Sequence, residues 1–169
     1  MKRTVYTVAV LVCMLAAAVV RGDPYAAENR DELDLYSVAW DTPGKDSSGS
    51  MPIGNGDIGL NLWVEENGDL LFYIGKTDSW SENCRLLKLG RVRVSLAPNP
   101  FAKGAPFRQT LKLRQGEIGI SAGEGDRRVG LSVWVDANRP VIHIEAEGVK
   151  PFDIRAGVEI WRTAPRQLT

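Results

Sequence analysis

From Ile58 onward the chain obeys one local rule. Apolar and polar residues alternate with a period of two, run after run, and glycine, asparagine, aspartate or proline separates the runs. Successive side chains of a strand point to opposite faces, so each run reads as a strand with one buried side. Ile58, Leu60, Leu62 and Val64 line one face, with Gly59, Asn61, Trp63 and Glu65 on the other. Asn67-Gly68 follows and accepts the positive φ angles of a two-residue hairpin turn, and residues 70–74 return as the partner strand. Val92, Val94 and Leu96 make the next inner row, followed by Phe107, Leu111 and Leu113, then Ile118 and Ile120, then Val129 to Val135. Ile142, Ile144 and Ala146 form another row, and Ile154, Ala156, Val158 and Ile160 the last. Residues 35–40 are a candidate first strand, and residues 76–89 read as a loop with some helical turn. About eight or nine strands, with turn signals every 8 to 12 residues or so, predict an all-β protein, an antiparallel β-sandwich of super-sandwich type. The last run stops near Arg162. A large sandwich needs more strands than these, so an incomplete N-terminal fragment, truncated at its C-terminus, is expected.

The first residues follow a different rule. Lys2 and Arg3 precede an apolar run over residues 8–20, and Val20-Arg21-Gly22 puts small residues at both ends of a cleavage triplet. This is the layout of a secretory signal peptide. A transmembrane helix needs about 20 apolar residues, so no stable membrane anchor is expected. The domain reading is a signal peptide over 1–22, a polar leader over 23–34 and a β-sandwich over 35–169, in a secreted or periplasmic protein. Cleavage after Gly22 leaves 147 residues, enough to bury a core. The removed segment holds Lys2, Arg3 and Arg21 and no acid, so 21 basic and 21 acidic residues become 18 against 21. No basic excess remains for a phosphate backbone, and a nucleic-acid partner is not expected. Cys84 is then the one cysteine and His143 the one histidine. They allow no internal disulfide and no ordinary metal site, and no cofactor is expected. Cys84 reads as a partly buried small side chain.

Glycoside chemistry needs two carboxyl groups flanking the scissile bond. Asp57, Asp69, Asp78, Asp126 and Asp136 all sit beside turn residues, where their side chains bond nearby amides. Glu145 and Glu147 share a strand face and read as solvated. No catalytic residue is assigned. Aromatic side chains stack on the apolar faces of sugars, which makes Trp63, Trp134 and Trp80 the candidate substrate-binding residues. Trp63 and Trp134 lie opposite the aliphatic rows, and the reading favoured over sugar contact is that a second layer or a missing downstream domain covers them. Arg108, Lys112 and Arg114 make a basic ladder on the outer side of their strand.

The string MPIGNGDIG (51–59) resembles the opening of the N-terminal β-sandwich domain of family 95-type glycoside hydrolases, the α-L-fucosidase-like enzymes. Trp80-Ser81, Leu89-Gly90-Arg91-Val92 and residues 107–113 resemble successive motifs of that domain, in order. GDLLFYIGKTDSW (68–80) and WVDANRPVI (134–142) are more similar to an uncharacterised relative, the domain-of-unknown-function family 5703, found at the N-terminus of secreted bacterial proteins. The resemblance covers residues 34–162. In the fucosidase-like enzymes the catalytic groups sit in a later (α/α)6 barrel, so none transfers to a position here. The resemblance implies a non-catalytic N-terminal β-sandwich of a secreted glycoside hydrolase-like protein, supporting a downstream catalytic barrel of the same protein. Its parent would be the enzyme, and this chain alone would not. A freestanding carbohydrate-binding module, using Trp63, Trp134 and the basic ladder on an oligo- or polysaccharide, is the alternative. A structural cell-envelope domain without a ligand is the third reading.

Overall fold

A computed structural model describes residues 32–101 and 104–160. The signal peptide expected over 1–22, most of the leader and Trp161 lie outside the described residues. Ten strands follow in order: β1 (Val38–Trp40), β2 (Met51–Gly54), β3 (Ile58–Val64), β4 (Leu70–Trp80), β5 (Leu86–Ala97), β6 (Phe107–Lys112), β7 (Glu117–Ala122), β8 (Val129–Val135), β9 (Ile142–Gly148) and β10 (Asp153–Glu159). They form two five-stranded antiparallel sheets, in the orders β1-β6-β7-β8-β9 and β10-β5-β4-β3-β2. The all-β sandwich expected from the alternation is therefore the fold. Each sheet is one meander, β2–β5 or β6–β9, completed by a single strand from the far end of the chain. β1 joins the later meander and β10 the earlier one.

The core lies between the sheets and follows the period-two rows. Leu60, Leu62, Leu70, Phe72 and Val94 come from one sheet, and Ile118, Ile120, Leu131 and Val133 from the other. Gln109 is the buried polar residue of this layer, 2 % exposed, and its Nε2 donates to the Leu62 carbonyl at 3.5 Å. Asn55 ties the sheets at one end. Its Oδ1 accepts from the amides of Asp57 and Ile58, and its Nδ2 donates to the carbonyls of Asp136 and Arg139, 81 and 84 residues away.

Two local expectations need correction. The β3–β4 connection is a three-residue loop rather than a two-residue turn. The Gly68 amide bonds the Glu65 carbonyl, and the Glu65 amide bonds the Asp69 carbonyl. Only Gly68 is left-handed there, at φ 89°, the pattern of a type I turn followed by a glycine bulge. A Cβ at Gly68 would sit 2.7 Å from Phe101 Cβ, so the position is closed to a side chain. Residues 76–89 are not a helical loop either. β4 and β5 run on together as a two-stranded arm that turns at Ser81–Cys84. That turn repeats the pattern of the first: the Cys84 amide bonds the Ser81 carbonyl, and the Ser81 amide bonds the Arg85 carbonyl. Cys84, at φ 54°, occupies the place of Gly68. It is exposed, not partly buried, because it caps the arm's tip.

Candidate functional site

Trp63 and Trp134 lie on the outer faces of different sheets. Trp63 is only 2 % exposed. It stands across from Leu71 in the β3–β4 ladder, and its ring lies 5.2 Å from that of Tyr73. The segment 41–50 folds over it, anchored by a parallel bridge between Gly44 and Glu65 and a 2.7 Å bond from the Gly44 amide to the Val64 carbonyl. Trp63 and Leu71 thus form a small second core outside the sandwich, and the Trp63 ring presents no face to solvent. Below it, Arg93 is held between Glu159, Asp69 and Glu65, fastening β10 and the β3–β4 loop to β5.

Trp134 is half-buried on the outer face of the other sheet, and His143 stacks on it at 4.9 Å with ring planes 7° apart. The antiparallel register arranges this face in rows across β6, β7, β8 and β9. Arg108, Ser121, Gly130 and Glu147 make one row, and Thr110, Gly119, Ser132 and Glu145 the next. Lys112, Glu117, Trp134 and His143 make the third. The first two rows line a groove of about 310 Å³. Arg108 and Lys112 of the basic ladder therefore meet Trp134, Glu145 and Glu147 on one surface. Trp63 does not join them. Lys112 Nζ lies 2.7 Å from Glu117 Oε1, which also accepts from Ser132 Oγ at 3.0 Å, and the ammonium holds the Glu117 carboxyl below its ordinary range. At the far end Asp136 accepts from Arg139 and from the Asn138 amide, with His143 3.6 Å away. The Arg139 guanidinium is the first cause of its depression to about 2.

Trp80 is 58 % exposed on the β4–β5 arm, its Nε1 donating to the Thr77 carbonyl at 2.7 Å. Leu86, Leu87 and Leu89 are exposed beside it. The arm flanks a trough of about 620 Å³, floored by Gly54, Gly59 and Gly75 and walled by Pro52, Tyr73, Leu86 and Leu87. Sequence reading missed this surface because the arm itself was read as a loop. Of the turn aspartates, Asp136 does bond a nearby amide, whereas Asp57 and Asp78 pair with Lys76, Asp69 with Arg93 and Asp126 with Lys150. Among the described residues, every carboxylate with a resolved shift, namely Asp46, Asp78, Glu117, Asp136 and Glu159, is moved downward. No group of three or more His, Cys, Asp or Glu among them is placed to hold a metal ion. None of their helices is long and apolar enough to cross a membrane.

Fold and surface together define an all-β sandwich domain with one polar groove and one apolar arm. The chain belongs to the family described as Domain of unknown function (DUF5703), whose N-terminal domain model matches residues 39–169. That meets the part of the resemblance carried by residues 68–80 and 134–142. It does not reach to the family 95 glycoside hydrolases. No curated protein matches the chain.

Proposed function

We propose that this chain is a non-catalytic β-sandwich domain of an exported glycoside hydrolase-like protein. It docks on a helical catalytic domain of the same protein and shapes one wall of the sugar cleft. The observation that carries this reading is the β4–β5 arm. Trp80, Leu86, Leu87 and Leu89 place four large apolar side chains in solvent on one two-stranded projection. A lone two-stranded hairpin is marginal in water, and an exposed apolar patch of this kind marks an interaction surface. The glycine-floored trough beside it lets a second backbone approach the sheet closely.

Two measurements on the full chain test this. It is expected to bind a hydrophobic dye and to self-associate at tens of micromolar, and the Trp80→Ser/Leu87→Ser double variant is expected to suppress both without lowering Tm. A chain that stays monomeric and binds no dye removes the docking surface. Hydrolysis of aryl glycosides by the purified chain removes the non-catalytic role.

A further inference from the structure

The groove across β6–β9 is built in a way that folding alone does not require. Gly119 and Gly130, on adjacent strands, form part of its floor. Glycine inside a strand is destabilising relative to alanine. Neither residue has the positive φ that favours glycine. A Cβ at Gly130 would meet nothing within 4 Å, and one at Gly119 would press only on the flexible end of Lys112, at 2.9 Å. The body of the sandwich thus has room for side chains here, and their absence keeps the groove open.

The banks of the groove select by charge. Arg108 and Lys112 rise from β6, and Glu145 and Glu147 from β9, three strand spacings or about 14 Å away. Glu145 and Glu147 are exposed, and neither is in an ion pair with another described residue. They oppose an anion such as phosphate or a uronate chain. Arg108 and Lys112, paired with Asp41 at 3.1 Å and Glu117 at 2.7 Å, leave no unpaired carboxylate on their bank for a cation. Between the banks stand the hydroxyls of Thr110, Ser121 and Ser132. A purely apolar ligand would leave these groups desolvated and unpaired, which is costly. A polyol has the complementary chemistry. Its hydroxyls donate to the carboxylates on one side and accept from the guanidinium and ammonium on the other. Trp134 stands one row further along, stacked by His143, and lines a neighbouring hollow with Gly116 and Asp136 rather than the groove itself.

We infer that this groove binds a short, uncharged oligosaccharide lying across the four strands. The site is on the other sheet from the arm, so it stands or falls independently of docking.

The test uses amide NMR and calorimetric titration of the full chain. The probes are neutral gluco-, xylo- and manno-configured trisaccharides, with galacturonate and glucosamine trisaccharides as charged comparisons. At least one neutral probe is expected to shift the amides of residues 119–121 and 130–132 and to bind at least tenfold more tightly than either charged probe. Gly130→Gln projects a side chain into the groove without meeting the fold. It is expected to weaken that binding at least tenfold at unchanged Tm, while Trp80→Ser/Leu87→Ser leaves it as it was. Silence of these amides toward all the neutral probes overturns the inference. So does undiminished binding by Gly130→Gln, or preference for a charged probe.

Discussion

Replacing Trp63 with alanine separates two roles that the sequence left open for it. A ligand platform would lose binding and keep its stability. The structure demands the reverse. Trp63 is 2 % exposed, and a buried aromatic of this size removes about 150–250 Å² from water. At about 25 cal/mol per Å² that area is worth about 4–6 kcal/mol, an upper figure because real unfolded chains already hide part of it. Measured costs of truncating buried Trp or Phe to alanine run at about 3–5 kcal/mol. The expected loss is therefore about 4 kcal/mol. For a chain of this length that lowers Tm by roughly 8–16 °C. Trp63→Phe keeps a ring against Tyr73. The indole Nε1 has no hydrogen-bond partner within the described protein, so the phenylalanine gives up no bond. Its cost is expected to stay under about 1.5 kcal/mol. Urea melts followed by far-ultraviolet dichroism give both values. Hydrogen exchange on the Gly44 amide, bonded to the Val64 carbonyl, reports whether segment 41–50 has come away. A loss below about 1 kcal/mol for Trp63→Ala, with Gly44 still protected, would refute the second core.

Asn55→Ala removes two accepted and two donated bonds at the junction of the sheets. At about 1 kcal/mol net per bond, less where the backbone groups regain water, it is expected to cost about 2–3 kcal/mol in a urea melt. Cys84→Gly places the residue that tolerates φ 54° at the arm's tip. It is expected to raise stability by about 0.5–1 kcal/mol, the left-handed penalty less the extra entropy of an unfolded glycine. Asp136 has a folded pKa near 2 against an ordinary 3.8, chiefly because of Arg139, so the stability it contributes is whole above about pH 4 and is lost as pH falls toward 2. Asp78, Glu117 and Glu159 move in the same direction, which predicts a falling acid limb in thermal melts, shallower in Asp136→Asn.

Most inner rows were legible in the sequence because burial on one face enforces a period of two; Leu113 and the last row, Ile154, Ala156, Val158 and Ile160, on and just past the edge strand β10, are instead exposed. Leu60, Leu62, Val92, Val94, Ile118, Leu131 and Val133 all point inward as their spacing predicts. Trp63 and Leu71 were not, since they occupy the polar phase of that rhythm. What buries them is a non-strand segment brought over the sheet by the Gly44 bridge, a tertiary event without a local signature. The arm was hidden by one residue. Glu66-Asn67-Gly68 announces its turn, while Glu82-Asn83-Cys84 makes the same turn with cysteine at the glycine position. The repeated Glu-Asn pair was the available signal. At the groove, alternation does place Arg108, Lys112, Glu145 and Glu147 outward. It does not say that β6 and β9 share a sheet with two strands between them, and that pairing order makes them opposite banks.

The exchange of end strands between the two meanders ties the timing of folding to the whole chain. β1 pairs with β6 some 70 positions later, Val38 against Leu111, and β10 reaches back from Asp153 to Ala97. Neither half can finish without a piece held by the other, so no cut through the middle yields two self-sufficient parts. Pairings this distant make for slow folding, with both margins of the molecule closing late and together.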